Sequence, residues 1–211
     1  GLIQPETVIS GNSKETVGSQ LSIFRPPENP EEVIRVMDRR QESMAKSLGD
    51  GHRIIRGVAG SGKTLVLLYR ARLLSALFPN KRFLVTCYTR SLAGQLRELL
   101  KYNQNVTVMH LDRLMVDAIQ SAKMPFPGYK SGSEEVAKTA LQALEKHNPT
   151  KYAAVLLDEA QDFDTVALEF AKSLLEPGAD DLVIAADAAQ NIFRKKFSWV
   201  KAGIQAQGRT R

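Results

Sequence analysis

The sequence predicts an α/β fold in which a parallel β-sheet carries helices on both faces. Three observations carry that prediction. Short runs of strand-forming residues alternate with longer stretches whose apolar residues recur at helical spacing. Several short runs, Arg82–Tyr88, Ala153–Leu157 and Leu182–Ala186, are apolar almost throughout, the pattern of strands buried on both faces. Between the first strand and its helix lies Gly57-Val58-Ala59-Gly60-Ser61-Gly62-Lys63-Thr64, a glycine-rich turn suited to joining strand to helix around an anion.

Taken in order, residues 1–30 carry Gly11, Asn12, Ser13, Gly18, Pro26, Pro27 and Pro30 with little periodicity, and read as a linker or loosely packed lead-in. The chain opens on Gly1 instead of methionine, which reads as a piece of a longer protein. A helix is expected from Pro30 to Leu48, stopped by Gly49-Asp50-Gly51. His52–Arg56 reads as a strand, and Leu65, Leu68, Tyr69, Leu73 and Leu77 as one face of the helix after the turn. Pro79-Asn80 marks a turn before the strand Arg82–Tyr88. Leu92, Leu96, Leu99 and Leu100 line a helix, Val106–Met109 forms a third strand, and Leu111, Leu114, Met115 and Ile119 line another helix. Pro125-Phe126-Pro127-Gly128 breaks the pattern, and Ser133-Glu134-Glu135 starts a helix running to Lys146. Ala153–Leu157 and Leu182–Ala186 complete five strands, with no internal repeat. One domain is expected over residues 31–199, followed by a basic extension at 200–211.

Residues 57–64 fit the pattern G-x-x-x-x-G-K-[ST] without a mismatch, a match that arises by chance in roughly one chain of this length in a hundred. Glycines let the backbone turn tightly and aim successive N–H groups at one anion. A helix starting at Lys63 adds its positive N-terminal end. Gly57, Gly60, Ser61 and Gly62 would then cradle phosphates, Lys63 would reach the β- and γ-phosphates, and the Thr64 hydroxyl would take a coordination position on Mg²⁺. The bland alternative is a turn in an unrelated α/β domain.

Ala153–Leu157 ends in Asp158-Glu159, and in a parallel sheet the carboxyl end of a buried strand opens onto the ligand crevice. Asp158 there can hold Mg²⁺ through water, and Glu159 can orient or deprotonate an attacking water. Alone, two acids after an apolar run are a weak signal, since many strands end in solvated acids. Paired with the glycine-rich loop they become a strong one. The last strand ends in Asp187 and is followed by Gln190, whose amide could sense a γ-phosphate.

Composition is ordinary for a globular protein: 211 residues, 43% hydrophobic and 25% charged. No apolar run reaches membrane-spanning length and no signal-peptide pattern is present, so no membrane partner is expected. One cysteine, Cys87, excludes an intrachain disulfide and fits a reducing, cytoplasmic setting; it reads as a small buried apolar residue. The histidines His52, His110 and His147 have no metal-ligand spacing, so no structural zinc is expected. Net charge is +6, and residues 191–211 hold Arg194, Lys195, Lys196, Lys201, Arg209 and Arg211 with no acid. With Phe193, Phe197 and Trp199 interleaved, that end is either a solvated tail or a surface that grips a phosphate backbone and stacks on bases.

With Asp158-Glu159-Ala160-Gln161-Asp162 added to the loop, the chain resembles the first RecA-like domain of UvrD/Rep-type superfamily 1 helicases, over roughly residues 37–199. Met37-Asp38-Arg39-Arg40-Gln41 resembles the Q motif, which implies that Gln41 reads the adenine edge. Residues 57–64 resemble motif I and residues 158–162 motif II. Thr86-Cys87-Tyr88-Thr89-Arg90 resembles motif Ia and Val108-Met109-His110 motif Ib, segments that touch single-stranded DNA; the resemblance thereby implies contacts by Tyr88, Thr89 and His110. For Tyr88 and His110 the alternative is core packing. Asp187-Ala188-Ala189-Gln190-Asn191-Ile192-Phe193 resembles motif III, whose glutamine couples the γ-phosphate to the DNA groove, so Gln190 joins Lys63 and Glu159 as a catalytic residue. Ala186 replaces the family's usual glycine, and Arg194-Lys195-Lys196-Phe197 replaces the usual aromatic-Arg-Gly continuation, which shifts base stacking to Phe193 or Trp199 beside Arg194.

The resemblance implies a P-loop NTPase of RecA-like fold that uses ATP and Mg²⁺, moves on single-stranded DNA, and closes its site with a second RecA-like domain of the same parent chain. Motifs IV to VI fall beyond the sequence, so little hydrolysis is expected from this piece by itself. Two other classes share the core: a P-loop ATPase acting on RNA or a protein partner, and a nucleotide-binding regulatory module without translocation.

Overall fold

The strands are short, and β2 Phe83–Cys87, β4 Ala154–Leu157 and β5 Asp181–Asp187 are buried almost throughout, so they need cover on both faces. The computed structural model describes residues 51–187 except Ala59, Asn148, Pro149 and the side chain of Tyr129. The expected lead-in, the helix over Pro30–Leu48 with Gln41, and the segment with Gln190, Phe193, Arg194, Trp199 and the basic extension lie outside the described residues.

The elements alternate in sequence: β1 Arg53–Gly57, α1 Lys63–Leu77, β2 Phe83–Cys87, α2 Arg90–Leu99, β3 Val106–His110, α3 Leu111–Ser121, α4 Ser133–Lys146, β4 Ala154–Leu157, α5 Thr165–Ser173 and β5 Asp181–Asp187. All strand pairs are parallel, in the order β1-β5-β4-β2-β3. The expected parallel sheet with helices on both faces is what the chain forms. On one face α1 and α2 cover Ile55, Phe83, Val85, Cys87, Leu156 and Val183. On the other, α3, α4 and α5 cover Leu84, Val155, Leu157, Leu182 and Ile184. Each fully buried Leu or Phe in these two layers contributes about 2 kcal/mol of transfer free energy.

Two local departures have identifiable causes. Leu77, expected on the inner face of α1, is 60% exposed. The buried row runs Leu67, Ala71, Leu74, and its next position is 78, which is already the C-cap. Helix α5 was not read from the sequence, although Asp164 caps it by accepting from the Ala167 N–H at 2.8 Å. Among the described residues, no helix is long and apolar enough to cross a membrane.

Candidate functional site

Because every strand runs the same way, the carboxyl ends of all five lie at one edge of the sheet. β1 delivers Gly57 there and the chain turns through Gly60 (φ 77°) and Gly62 (φ 78°), left-handed conformations that a Cβ disfavours. A Cβ on Gly57 would stand 2.5 Å from Ser61 Oγ, so the loop is folded too tightly for a side chain at its start. The Ser61 N–H donates to the Val58 carbonyl at 3.1 Å, closing the turn. Lys63 curls back over it, its ammonium donating to the Gly57 and Val58 carbonyls at 2.9 Å each and to Ser61 Oγ at 3.4 Å. Gly62 begins α1 without a side-chain cap, leaving the helix's first N–H groups aimed at the space the loop encloses.

β5 lies between β1 and β4, and the turn after β4 brings the acids to the loop. Thr64 Oγ1 donates to Asp158 Oδ2 at 2.6 Å, and the Glu159 N–H donates to Asp158 Oδ1 at 3.0 Å. Asp158 is only 1% exposed. Burial pushes its carboxyl above the ordinary value of 3.8, while the Thr64 and Glu159 hydrogen bonds and the Lys63 charge hold it down. Two hard oxygen groups therefore converge beside the phosphate loop, the donor chemistry that Mg²⁺ prefers when substrate phosphates complete its shell.

Glu159 adopts φ 54° and ψ 39°, a left-handed conformation that is rare outside glycine and recurs at functional turns. The next residues form a 3₁₀ turn, Ala160–Asp162, in which the Asp162 N–H donates to the Glu159 carbonyl at 3.1 Å. Gln161 Nε2 donates to Glu159 Oε2, and Gln161 Oε1 accepts from the Asp187 N–H at 2.9 Å. Sequence reasoning gave Gln161 no role of its own. Its position two residues beyond Glu159 in a tight turn was the available signal.

The other half of the edge belongs to β2 and β3. Tyr88 follows β2, 46% exposed, and its ring packs edge-on against the buried Phe163 with centroids 5.4 Å apart and an interplanar angle of 72°. Core packing, the alternative reading of Tyr88, does not describe a side chain this open. Thr89 caps α2, its hydroxyl accepting from the Leu92 N–H at 3.2 Å. His110 ends β3 opposite Cys87 and is half-buried. Burial first, then the positive charge of Arg90, holds its pKa below 6.5; Asp112 opposes, and Arg113 and Arg97 add to the depression. Cys87 is buried, as expected, and burial followed by the Asp158 charge pushes its thiol up to about 12.

Lys63, Thr64, Asp158 and Glu159 thus meet at the β1 and β4 ends, whereas Tyr88, Thr89 and His110 stand over β2 and β3. No curated protein matches the chain. A family model described as an AAA domain matches residues 40–196, taking in the loop, the acids and all five strands. With that match spanning most of its length, the chain belongs to the AAA domain family and is a P-loop NTPase domain, built to bind a nucleoside triphosphate, of the kind found in superfamily 1 helicases.

Proposed function

We propose that this domain is the ATP-binding motor unit of a DNA helicase or translocase, coupling Mg-ATP hydrolysis to movement along single-stranded DNA. The observation that supports it best is the division of one sheet edge. The phosphate loop and acids occupy the β1 and β4 ends, and an exposed aromatic with arginines nearby occupies the β2 and β3 ends. The Tyr88–Phe163 contact joins the two halves, since Phe163 directly follows the acidic turn.

In this reading Lys63 and the loop N–H groups bind the phosphates, and Thr64 and Asp158 hold Mg²⁺, which neutralises charge on the phosphate oxygens. Glu159 orients the attacking water and accepts its proton. Tyr88 stacks on a base while Arg90, two residues on, approaches the phosphate backbone beside it. A second RecA-like domain of the parent chain closes over the γ-phosphate, and that closure, repeated each turnover, moves the strand. Gln41, Gln190, Phe193, Arg194 and Trp199 keep the roles the resemblance implies.

The test is steady-state ATP hydrolysis by the parent protein, with and without single-stranded DNA, with Glu159→Gln as the background. Strong stimulation that disappears in the variant is expected. Hydrolysis that needs Glu159 yet ignores DNA would remove the translocase reading and direct attention to RNA or a protein partner.

A further inference from the structure

Gln161 sits between the acid turn and the last strand and is used at both ends of its amide. The Asp187 N–H is only a donor, so the Gln161 atom 2.9 Å from it must be the carbonyl oxygen. That assignment leaves the amide nitrogen facing Glu159 Oε2, where it donates. The carboxylate side needs a donor and the strand side needs an acceptor, and the neutral Gln161 amide supplies both. Asp187 is also the register partner of Gly57, the first residue of the phosphate loop, and closes the strand that leads directly to Ala188 and Gln190. The chain Glu159–Gln161–Asp187 therefore runs from the carboxylate to the backbone beside the loop.

From this geometry we infer that Gln161 is a positioning residue that fixes the Glu159 carboxylate relative to the end of β5, so that movement of that strand end is transmitted to the carboxylate. Glu159 projects from a left-handed backbone position at the start of a tight turn. The Gln161 amide constrains its carboxylate. A side chain held at one end only would follow the turn; held at both ends it follows β5 as well. The relay itself rests on the hydrogen bonds, and its consequence for rate rests on the proposed role of Glu159 as the group that orients water.

The relay is tested first without turnover, by the backbone amide resonance of Asp187 and the side-chain amide resonances of Gln161 in the ¹⁵N-labelled chain. Glu159→Gln is expected to move both, and in a Gln161→Met background the Asp187 resonance is expected to ignore the change at Glu159. An Asp187 amide equally indifferent to Glu159→Gln with Gln161 present would overturn the relay. Kinetics in the parent enzyme then test its consequence. Gln161→Glu keeps an acceptor for the Asp187 N–H but loses the donor and sets a second carboxylate against Glu159, so kcat should fall about 10- to 100-fold with KM for Mg-ATP held and some thermal stability lost. Gln161→Met should lose kcat to a similar extent. Unchanged kcat in Gln161→Glu would overturn the positioning role even if Glu159→Gln abolishes hydrolysis. Hydrolysis that survives Glu159→Gln would overturn the role of Glu159 and leave the resonance result to stand separately.

Discussion

Thr64 Oγ1 donates to Asp158 Oδ2 at 2.6 Å, tying the first turn of α1 to the turn after β4 across 94 residues of sequence. The bond satisfies one carboxylate oxygen but does not remove the cost of enclosing its charge. With its folded pKa raised, the Asp158 contribution to stability is present in full below its ordinary 3.8 and is lost as pH rises through the raised value. At neutral pH the ionised group therefore opposes folding. Asn fits the same contacts: its oxygen can accept the Glu159 N–H while its nitrogen donates to the Thr64 hydroxyl, which can reverse. Asp158→Asn should raise the melting stability of the nucleotide-free protein by about 1 kcal/mol and abolish the effect of Mg²⁺ on nucleotide affinity. Thermal melts and nucleotide titrations with Mg²⁺ or chelator check both, and a lowered melting temperature would contradict the first.

His52 precedes β1 with 8% of its surface exposed, its Nε2 3.9 Å from Asp180 Oδ1. Burial lowers its pKa from 6.5 despite the Asp180 charge, with Lys172 adding to the depression. The sign follows: neutral His52 contributes stability above pH 6.5, and the contribution is lost as pH falls through the lowered value. Melting temperature should fall on acidification from about pH 7.5 to 5.5, less steeply in His52→Phe. Some slope should remain, because His110 is shifted in the same direction. Identical slopes in the two proteins would show that His52 does not carry the effect.

The Cys87 thiol, pushed up to about 12 and enclosed between the sheet and α2, is both protonated and inaccessible at pH 8. A thiol reagent should modify it no faster than the chain opens, with the rate rising in step with denaturant. Rapid stoichiometric labelling of the native protein would be inconsistent with this burial.

Arg70 on α1 and Asp181 at the start of β5 form an ion pair at 3.0 Å, with side chains 7% and 15% exposed. Removing Arg70 takes this cation from a mostly enclosed carboxylate, so Arg70→Met should destabilise the fold by about 3 kcal/mol. Arg70→Met combined with Asp181→Leu should recover most of that loss, since an apolar pair needs no desolvation. Denaturant melts of the single and double variants measure the difference, and additive losses would argue against a pair.

What the sequence made legible depended on where each signal was written. Helix α4 was read to both of its ends, Ser133 and Lys146, because Gly132, two acids in the first turn and a lysine in the last are local punctuation. The continuous apolar runs gave β2, β4 and β5 to within a residue or two, since burial on both faces leaves no alternation to misread. Leu77 was misplaced because leucine spacing names a helix without saying which row meets the sheet. Strand order was not readable, so nothing in the sequence showed that Asp187 would lie in register with Gly57 or that Gln161 would reach it. The side chains of the loop and acid turn could be named from their pattern. Their hydrogen bonds belong to the packing.

The position of β5 between β1 and β4 also sets the order in which this domain can be completed as it leaves the ribosome. β1 is made first, yet among the described strands its partner is β5, the last. A nascent chain halted before Asp181 can pair β2 with β3 and β4, but among the described strands β1, which carries the phosphate loop, then has no partner. Closure waits on a contact between segments more than a hundred residues apart, the kind of long-range pairing that slows folding and lengthens the exposure of sticky edges. The phosphate loop thus gains the support of β5 only once synthesis has passed Asp187.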